Sequence, residues 1–200
     1  MHTPKYEVKW FLDDASDIAL EAFVPVFHHW IQSQCLDELL IDVADYRHVH
    51  NGPGVILIAH DAHYAMDAAG GRLGLLYSRR RETHPSRRAI DDTRERLASV
   101  FLCALTVCQR LEAETAFQGQ LRFRTDGLIL RVNDRLHAPN TLDVFQTVYE
   151  ELAPFLRTLY PDQALEVSHA SDATSRLTLE IKAAENPGVE TLLTRLGVAV

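Results

Sequence analysis

Apolar and polar side chains alternate in several short segments of the chain, and this period of two predicts β-strands. The clearest is KYEVKWFL at 5–12, where Tyr6, Val8 and Trp10 alternate with polar residues. Further strands are predicted over 39–45, 55–60, 71–80, 164–168 and 176–182. The segment VILIAH at 55–60 is apolar on both faces, which indicates a central position in a sheet.

Two segments rich in turn residues are predicted to reverse the chain. Residues 121–134 read as a hairpin that turns at Thr125-Asp126-Gly127, because Asp-Gly is a favoured pair in hairpin turns. Residues 61–70, which follow the strand at 55–60 and end near two glycines, are predicted as a hairpin loop.

The longest helical pattern lies between these strand-rich parts. It is predicted to open at His84-Pro85, or with Ser86 as its cap, and to end near Ala116. Its predicted buried stripe consists of Ile90, Leu97, Phe101, Leu105, Cys108 and Leu111. At roughly thirty residues the helix is long enough to span a whole sheet.

Three shorter helices are predicted from the same spacing of apolar residues. Ser16 is the predicted cap of the first, and Pro25 should kink it or delay its start. Asn140 is the predicted cap of the next. A short helix after Asn186 should close the chain, with Gly197 as its stop.

The two halves of the chain share one order of elements. When the two halves are aligned so that Leu130 corresponds to Val8, the predicted order of elements in each half is strand–helix–strand–strand. This is either a true duplication or a match of amphipathic patterns alone. Both predict an α+β fold: an antiparallel-rich sheet of two pseudo-repeated βαββ modules (1–84 and 118–200), helices packed on one face, and a long central helix (85–117), all in one compact domain.

Composition narrows the class of protein. The chain has 200 residues and a net charge of −8, which argues against a general nucleic-acid binder. Its three cysteines, Cys35, Cys103 and Cys108, have no Cys-x-x-Cys spacing, as expected in a reducing compartment. The N-terminus lacks a signal-peptide core, and no apolar run approaches the ~20 residues that span a bilayer. We therefore expect a cytoplasmic protein without a membrane segment.

The first candidate site is the loop after the strand at 39–45. Asp45, His48 and His50 are candidate catalytic residues for acid–base chemistry, and the two histidines are candidate metal ligands. Gly52 and Gly54 would let the backbone approach a ligand or adopt positive φ. The alternative is a polar loop whose histidines are solvated.

A second histidine cluster follows the strand at 55–60, with His60, Asp61 and His63 close together. Because that strand separates His50 from His60, the two clusters should lie at its opposite ends. They can therefore share one metal only across two subunits.

The second candidate site is a run of five arginines at a strand end and a helix start, Arg79, Arg80, Arg81, Arg87 and Arg88. Arginine is unfavourable at a helix N-terminus unless an anion is held there, and guanidinium groups bind carboxylate and phosphate well. The alternative is a solvated loop whose charges are neutralised by neighbouring carboxylates.

The sequence contains no GxGxxG, P-loop, GxSxG or HExxH motif, and it identifies no cofactor. Three hypotheses remain. The preferred one is a homodimeric ligand-binding or regulatory domain for a small anionic molecule, bound at the arginines or at Gly52 and Gly54. The second is an enzyme that uses Asp45, His48 and His50. The third is a protein-interaction domain without a ligand.

Overall fold

The computed structural model describes residues 5–80, 92–170 and 175–198. The strands in these ranges are β1 (Tyr6–Leu12), β2 (Leu40–Tyr46), β3 (Gly54–Ala59), β4 (Ala62–Asp67), β5 (Gly74–Arg79), β6 (Phe123–Val132), β7 (Leu165–His169) and β8 (Leu177–Ala183). The α-helices are α1 (Phe23–Ser33), α2 (Thr93–Ala113), α3 (Leu142–Leu159) and α4 (Val189–Arg195). None of these helices combines the length and the apolar character needed to cross a membrane.

All eight described strands form one open antiparallel sheet in the order β2-β3-β4-β5-β1-β6-β8-β7. The first described strand, β1, lies between β5 and β6 and so joins the two halves. The prediction of an α+β fold with an antiparallel sheet is confirmed. The two pseudo-repeated βαββ modules stay a prediction.

One face of the sheet carries the hydrophobic core. Tyr6, Val8 and Trp10 of β1 are buried on this face, and side chains of all four helices join the same cluster. Trp10 meets Phe101 of α2 edge-on, with ring centroids 5.9 Å apart. Each fully buried large side chain contributes roughly 1.5–3 kcal/mol, so this face provides the main stabilisation of the fold.

The other face of the sheet is polar near its centre. The Lys9 ammonium donates a hydrogen bond to the Asp67 carboxylate at 3.2 Å, and both side chains are buried. Burial lowers the pKa of Lys9, and the attraction of Asp67 opposes that shift. Arg72 lies over the Phe11 ring, 3.9 Å from its centroid. Alternation along β1 therefore separates a helix-covered apolar face from a charged one.

The sheet has two edge strands, β2 and β7. On β2, the Gln34 side chain occupies both backbone groups of Leu40: its Oε1 accepts from the Leu40 N–H at 3.2 Å, and its Nε2 donates to the Leu40 carbonyl at 3.1 Å. A side chain in this position covers part of the edge. The homodimer expected from open sheet edges stays a prediction.

Residues 61–70 are not the predicted hairpin loop, because most of them form β4, which pairs with both β3 and β5. Ala62, Tyr64 and Met66 point into the core. The alternation was obscured because the inward positions include a small alanine and the outward ones include Ala65. Burial between two partner strands outweighs the weak local strand signal.

The hairpin predicted at Thr125-Asp126-Gly127 is also wrong, since β6 continues through these residues. Trp10 of β1 faces Leu128, but Leu12 faces Phe123, so β6 carries extra residues between these two pairs. The Asp-Gly pair lies in this irregular stretch. The Asp-Gly pair therefore lies where the register between β6 and β1 is interrupted, and the chain does not reverse there.

The buried stripe of the long helix is confirmed, with Leu97, Phe101, Leu105, Cys108 and Leu111 all buried. The described helix α2 is 21 residues long and begins after Asp92, whose side chain accepts a hydrogen bond from the Glu95 N–H at 2.9 Å. It ends at Ala113, before the predicted Ala116. The predicted start at 84–86 and Ile90 lie outside the described residues.

Three predicted caps make other contacts. The Ser16 hydroxyl accepts a hydrogen bond from the Arg122 N–H at 3.0 Å and does not cap a helix. Helix α1 begins only at Phe23, after a 3₁₀ turn. Pro25 therefore lies in the first turn of α1, which agrees with the prediction that it delays the start of the helix. The cap of α3 is Thr141, one residue after the predicted Asn140. The Asn186 side chain binds the Thr125 backbone and hydroxyl, and α4 begins after Gly188.

Candidate functional site

A cavity of about 340 Å³ lies between the helix-covered face of the sheet and α2, where β4 begins and β5 ends. Its apolar wall is formed by Leu36, Leu102, Val107 and Val198. Its polar groups include Glu38, Tyr64, Tyr77 and Arg79. A mainly apolar cavity of this size with a few convergent polar groups is typical of a small-molecule site.

The strand register brings three of these polar side chains together. Tyr77 and Arg79 are two residues apart on β5, so both point to the same face of the sheet. Tyr64 of β4 stands directly opposite Tyr77, with ring centroids 5.1 Å apart. Two phenols and a guanidinium group therefore meet at one end of the sheet.

Arg79 is only 6% exposed. Its Nε donates a hydrogen bond to the Tyr77 hydroxyl at 3.1 Å, and its Nη2 donates to Ser99 Oγ at 2.9 Å and approaches Cys103 Sγ at 3.8 Å. Its Nη1 is buried and has no hydrogen-bond partner among the described residues. The guanidinium group therefore lines the cavity with one donor group unused.

The groups that contact Arg79 are neutral at physiological pH. Burial raises the pKa of the Tyr77 phenol well above its ordinary range, and it also raises the pKa of the Cys103 thiol. Within the described ranges, no carboxylate forms an ion pair with Arg79. The positive charge is thus held in place by neutral partners and is not neutralised by a carboxylate of the described residues.

Glu38 lines the cavity from the turn between α1 and β2. Its carboxylate accepts hydrogen bonds from the Tyr64 hydroxyl at 2.8 Å and from the Asp61 N–H at 3.0 Å. Burial raises the pKa of Glu38, although both hydrogen bonds act in the opposite direction. The cavity therefore contains a half-buried carboxyl group as well as a buried cation.

The arginine cluster predicted from the sequence is divided in the structure. Arg79 faces the cavity, whereas Arg80 is exposed, with its Nη1 3.5 Å from His63 Nε2. Arg81, Arg87 and Arg88 lie outside the described residues. Of the two described arginines of this cluster, Arg79 lines the cavity and Arg80 does not.

Asp45 lies at the other end of the sheet, near the end of β2, and is exposed. Arg47 donates to both of its carboxylate oxygens, with Nε 2.9 Å from Oδ1 and Nη2 2.7 Å from Oδ2. These bonds lower the pKa of Asp45 to about 2, so it is a weak proton acceptor. His48 and His50 are exposed in the following turn. Their catalytic role stays a prediction.

The two glycines of this turn have conformational roles in the structure. Gly54 has φ of +69°, and a Cβ at this position would lie 2.1 Å from the Met66 carbonyl oxygen. A Cβ on Gly52 would lie 2.8 Å from Val49 Cβ. The close approach predicted for these glycines is thus to other parts of the protein itself; a role in ligand binding stays a prediction.

The histidine clusters are separated by β3, as expected. His50 precedes this strand, and His60 follows it, with its Nδ1 2.9 Å from Asp61 Oδ1. In the part of the chain that the structure describes, no group of three or more His, Cys, Asp or Glu side chains could hold a metal ion.

Sequence reasoning missed most of the cavity. The sequence does not identify Glu38, Tyr64 or Tyr77 as candidates, and it uses Cys103 only as an indicator of the redox compartment. The available signal was Tyr77-Ser78-Arg79, which places an aromatic and a charged residue on one face of a predicted strand. No sequence pattern relates the other cavity residues, which come from β4, α2 and the turn before β2, to Arg79.

Comparison with known proteins adds no functional assignment. No protein-family model matches the sequence, and neither the curated proteins nor the solved structures contain a match to the chain.

Proposed function

We propose that the protein binds a small organic anion in the cavity and acts as a ligand-binding or regulatory domain. The observation that carries this proposal is the unused Nη1 of Arg79, in a guanidinium group that is almost fully buried. Leaving a buried polar group unpaired costs roughly 1–3 kcal/mol, and more for a charged group. A ligand oxygen at this position would remove that cost.

The surroundings of Arg79 suit an organic anion. The Tyr77, Ser99 and Cys103 contacts fix the guanidinium plane, so a bound carboxylate or phosphate would meet a preorganised donor. The apolar wall would cover the remainder of the ligand, at roughly 25 cal/mol for each Å² of apolar surface removed from water. Affinity would thus come from one charged contact and from apolar burial.

The test compares Arg79→Met with Arg80→Met by isothermal titration calorimetry, using small carboxylates and inorganic phosphate as probes. Because a hydrogen bond to a charged group contributes roughly 1.5–3 kcal/mol, we expect Arg79→Met to bind at least tenfold more weakly than the unchanged protein. Arg80→Met removes the same charge from the exposed neighbour and should change the affinity less than threefold. Circular dichroism verifies that both variants fold.

Two results would overturn the proposal. One is the absence of binding by the unchanged protein to every carboxylate and to phosphate. The other is an equal loss of affinity in Arg79→Met and Arg80→Met, which would show a general charge effect. If Arg79→Met does not fold, Arg79→Lys keeps the charge, removes the guanidinium fork and should still weaken binding.

The same assay distinguishes the enzyme hypothesis from the cavity proposal. If Asp45, His48 and His50 form the functional site, His48→Ala and His50→Ala should abolish ligand or metal binding, while Arg79→Met retains it. The cavity proposal requires the reverse, because the two histidines lie at the opposite end of β3 from the cavity.

A further inference from the structure

Two of the charged residues that line the cavity, which also include Asp37 and Asp61, are opposite in charge and do not pair with each other. Glu38 and Arg79 both line it, and the charge of Arg79 influences the ionisation of Glu38. Among the described residues, however, no ion pair within 4 Å joins them. Their neighbours hold each group in a fixed position.

The positions of both groups are set by hydrogen bonds from different elements. Tyr64 and the Asp61 backbone hold the Glu38 carboxylate on one side of the cavity. Tyr77 and Ser99 hold the Arg79 guanidinium group on the other. Because the two tyrosines pack against each other, they act as a fixed spacer between the charges.

Two separated opposite charges in a partly apolar cavity are costly without a ligand, because each is partly desolvated without forming a direct ion pair with the other. A simple anion would satisfy Arg79 but would add a further negative charge near Glu38 and Asp61. A simple cation would satisfy Glu38 and be repelled by Arg79. A ligand with both charges would satisfy both groups at once.

We propose that the ligand is a small amino acid, whose carboxylate binds Arg79 and whose ammonium group binds Glu38. Its carbon chain would lie against the apolar wall formed by Leu36, Leu102 and Val107. This inference rests on the proposed anion-binding function and assigns the chemical class of the ligand. Glu38 takes the role of a specificity residue that excludes simple carboxylic acids.

The test compares amino acids with matched molecules that lack one charge. Leucine is paired with 4-methylpentanoate and 3-methylbutylamine, and 5-aminopentanoate is paired with pentanoate and pentylamine. All are titrated calorimetrically into the unchanged protein at pH 7. We expect at least one of the two amino acids to bind about tenfold more tightly than both of its single-charge counterparts.

The variant arm uses Glu38→Gln, which keeps the shape of the side chain and removes its charge. It should abolish the advantage of the amino acid over the matched acid, while the affinity for that acid is retained or increased. Glu21→Gln removes one exposed negative charge at the far end of the sheet and should keep the advantage. The ligand series in the unchanged protein remains decisive even if Glu38→Gln does not fold.

The outcomes distinguish this inference from the proposed function. If acids bind as tightly as amino acids, the protein binds anions and the amino-acid inference is wrong. If the advantage persists in Glu38→Gln, another group recognises the ammonium and the role of Glu38 is wrong. If no probe binds, both proposals fail together.

Discussion

The two ends of the sheet hold similar side chains in very different surroundings. At the turn end, the Asp45 carboxylate and the Arg47 guanidinium group are exposed and form an ion pair, in which both carboxylate oxygens accept, between near neighbours in sequence. At the cavity end, Arg79 is buried, and its partners come from β5 and α2. The first pair is satisfied locally, whereas the second arrangement leaves Nη1 unused.

This difference shows why charged residues in a sequence are weak evidence of a site. The two groups of an exposed ion pair are well solvated whether or not they pair, so the pair contributes little to the free energy of unfolding. A buried guanidinium group has lost most of its water, so each contact that it lacks has a larger energetic consequence. The proposed site is therefore placed where charge is buried and incompletely satisfied.

The largest effect is expected at the turn end, where the backbone is buried although the side chains are not. Gly54→Ala should lower the free energy of unfolding by roughly 3 kcal/mol, because φ is positive there and the new Cβ would overlap the Met66 carbonyl. Gly70→Ala is the matched control: φ is +72°, and no atom of the described residues beyond its chain neighbours lies within 4 Å of its Cβ position. It should lose only about 1 kcal/mol in urea unfolding. Equal losses would mean that the contact with Met66 is relieved by a small movement.

An intermediate effect is expected at Glu38 in the cavity. Burial raises its pKa in the folded protein above the ordinary value of 4.5, so the folded state holds the proton more tightly than the unfolded state does. The contribution of Glu38 to stability is therefore greatest at low pH and falls as the pH rises through the raised pKa. Glu38→Gln cannot ionise, so it should be more stable relative to the unchanged protein at pH 7 than at pH 4.

The measurement for Glu38 is urea unfolding of both proteins at the two pH values. Glu21→Gln controls for the general loss of one negative charge from an acidic protein. If the relative stability of Glu38→Gln were greater at pH 4 than at pH 7, the pKa of Glu38 would be lowered by folding, and burial would not dominate its ionisation.

The smallest effect on stability, but a clear spectroscopic one, is expected at Asp45. Its carboxyl group should titrate with a pKa of about 2 in an NMR pH series, and Arg47→Ala should return the pKa towards its ordinary value of 3.8. His48→Ala removes a weaker influence on the same carboxyl and should shift the pKa less. Thermal stability should change little in either variant, because the pair is exposed. An unchanged titration in Arg47→Ala would disprove the pairing.

Features that depend on local periodicity were predictable from the sequence. The alternation in β1 predicts a strand and the spacing in α2 predicts its buried stripe, and both elements are confirmed, although Glu7 and Lys9 on the polar face of β1 are buried as well. Where tertiary pairing outweighs a local preference, prediction failed. The Asp126-Gly127 pair favours a turn, but pairing of Gly127 with Lys182 of β8 keeps it within a strand.

The candidate site was predictable only in part for the same reason. Arg79 could be identified because arginines near a strand end are visible in the sequence. Glu38 and Tyr64 are joined across 26 residues by a hydrogen bond that depends on the register of β4, an element that the sequence did not reveal. A site assembled from separate elements becomes visible only after the sheet is formed.

The position of β1 has a consequence for how the chain is made. β1 precedes the other described strands in the chain, yet its two partners come much later: β5 ends at Arg79, and β6 begins at Phe123. A ribosome-bound chain that ends before β6 therefore holds a central strand with one edge unpaired, a surface open to wrong partners. Strand β6, in the second half of the described chain, closes that edge, so β1 is synthesised before β2 to β5 but is fully paired only after all four of them.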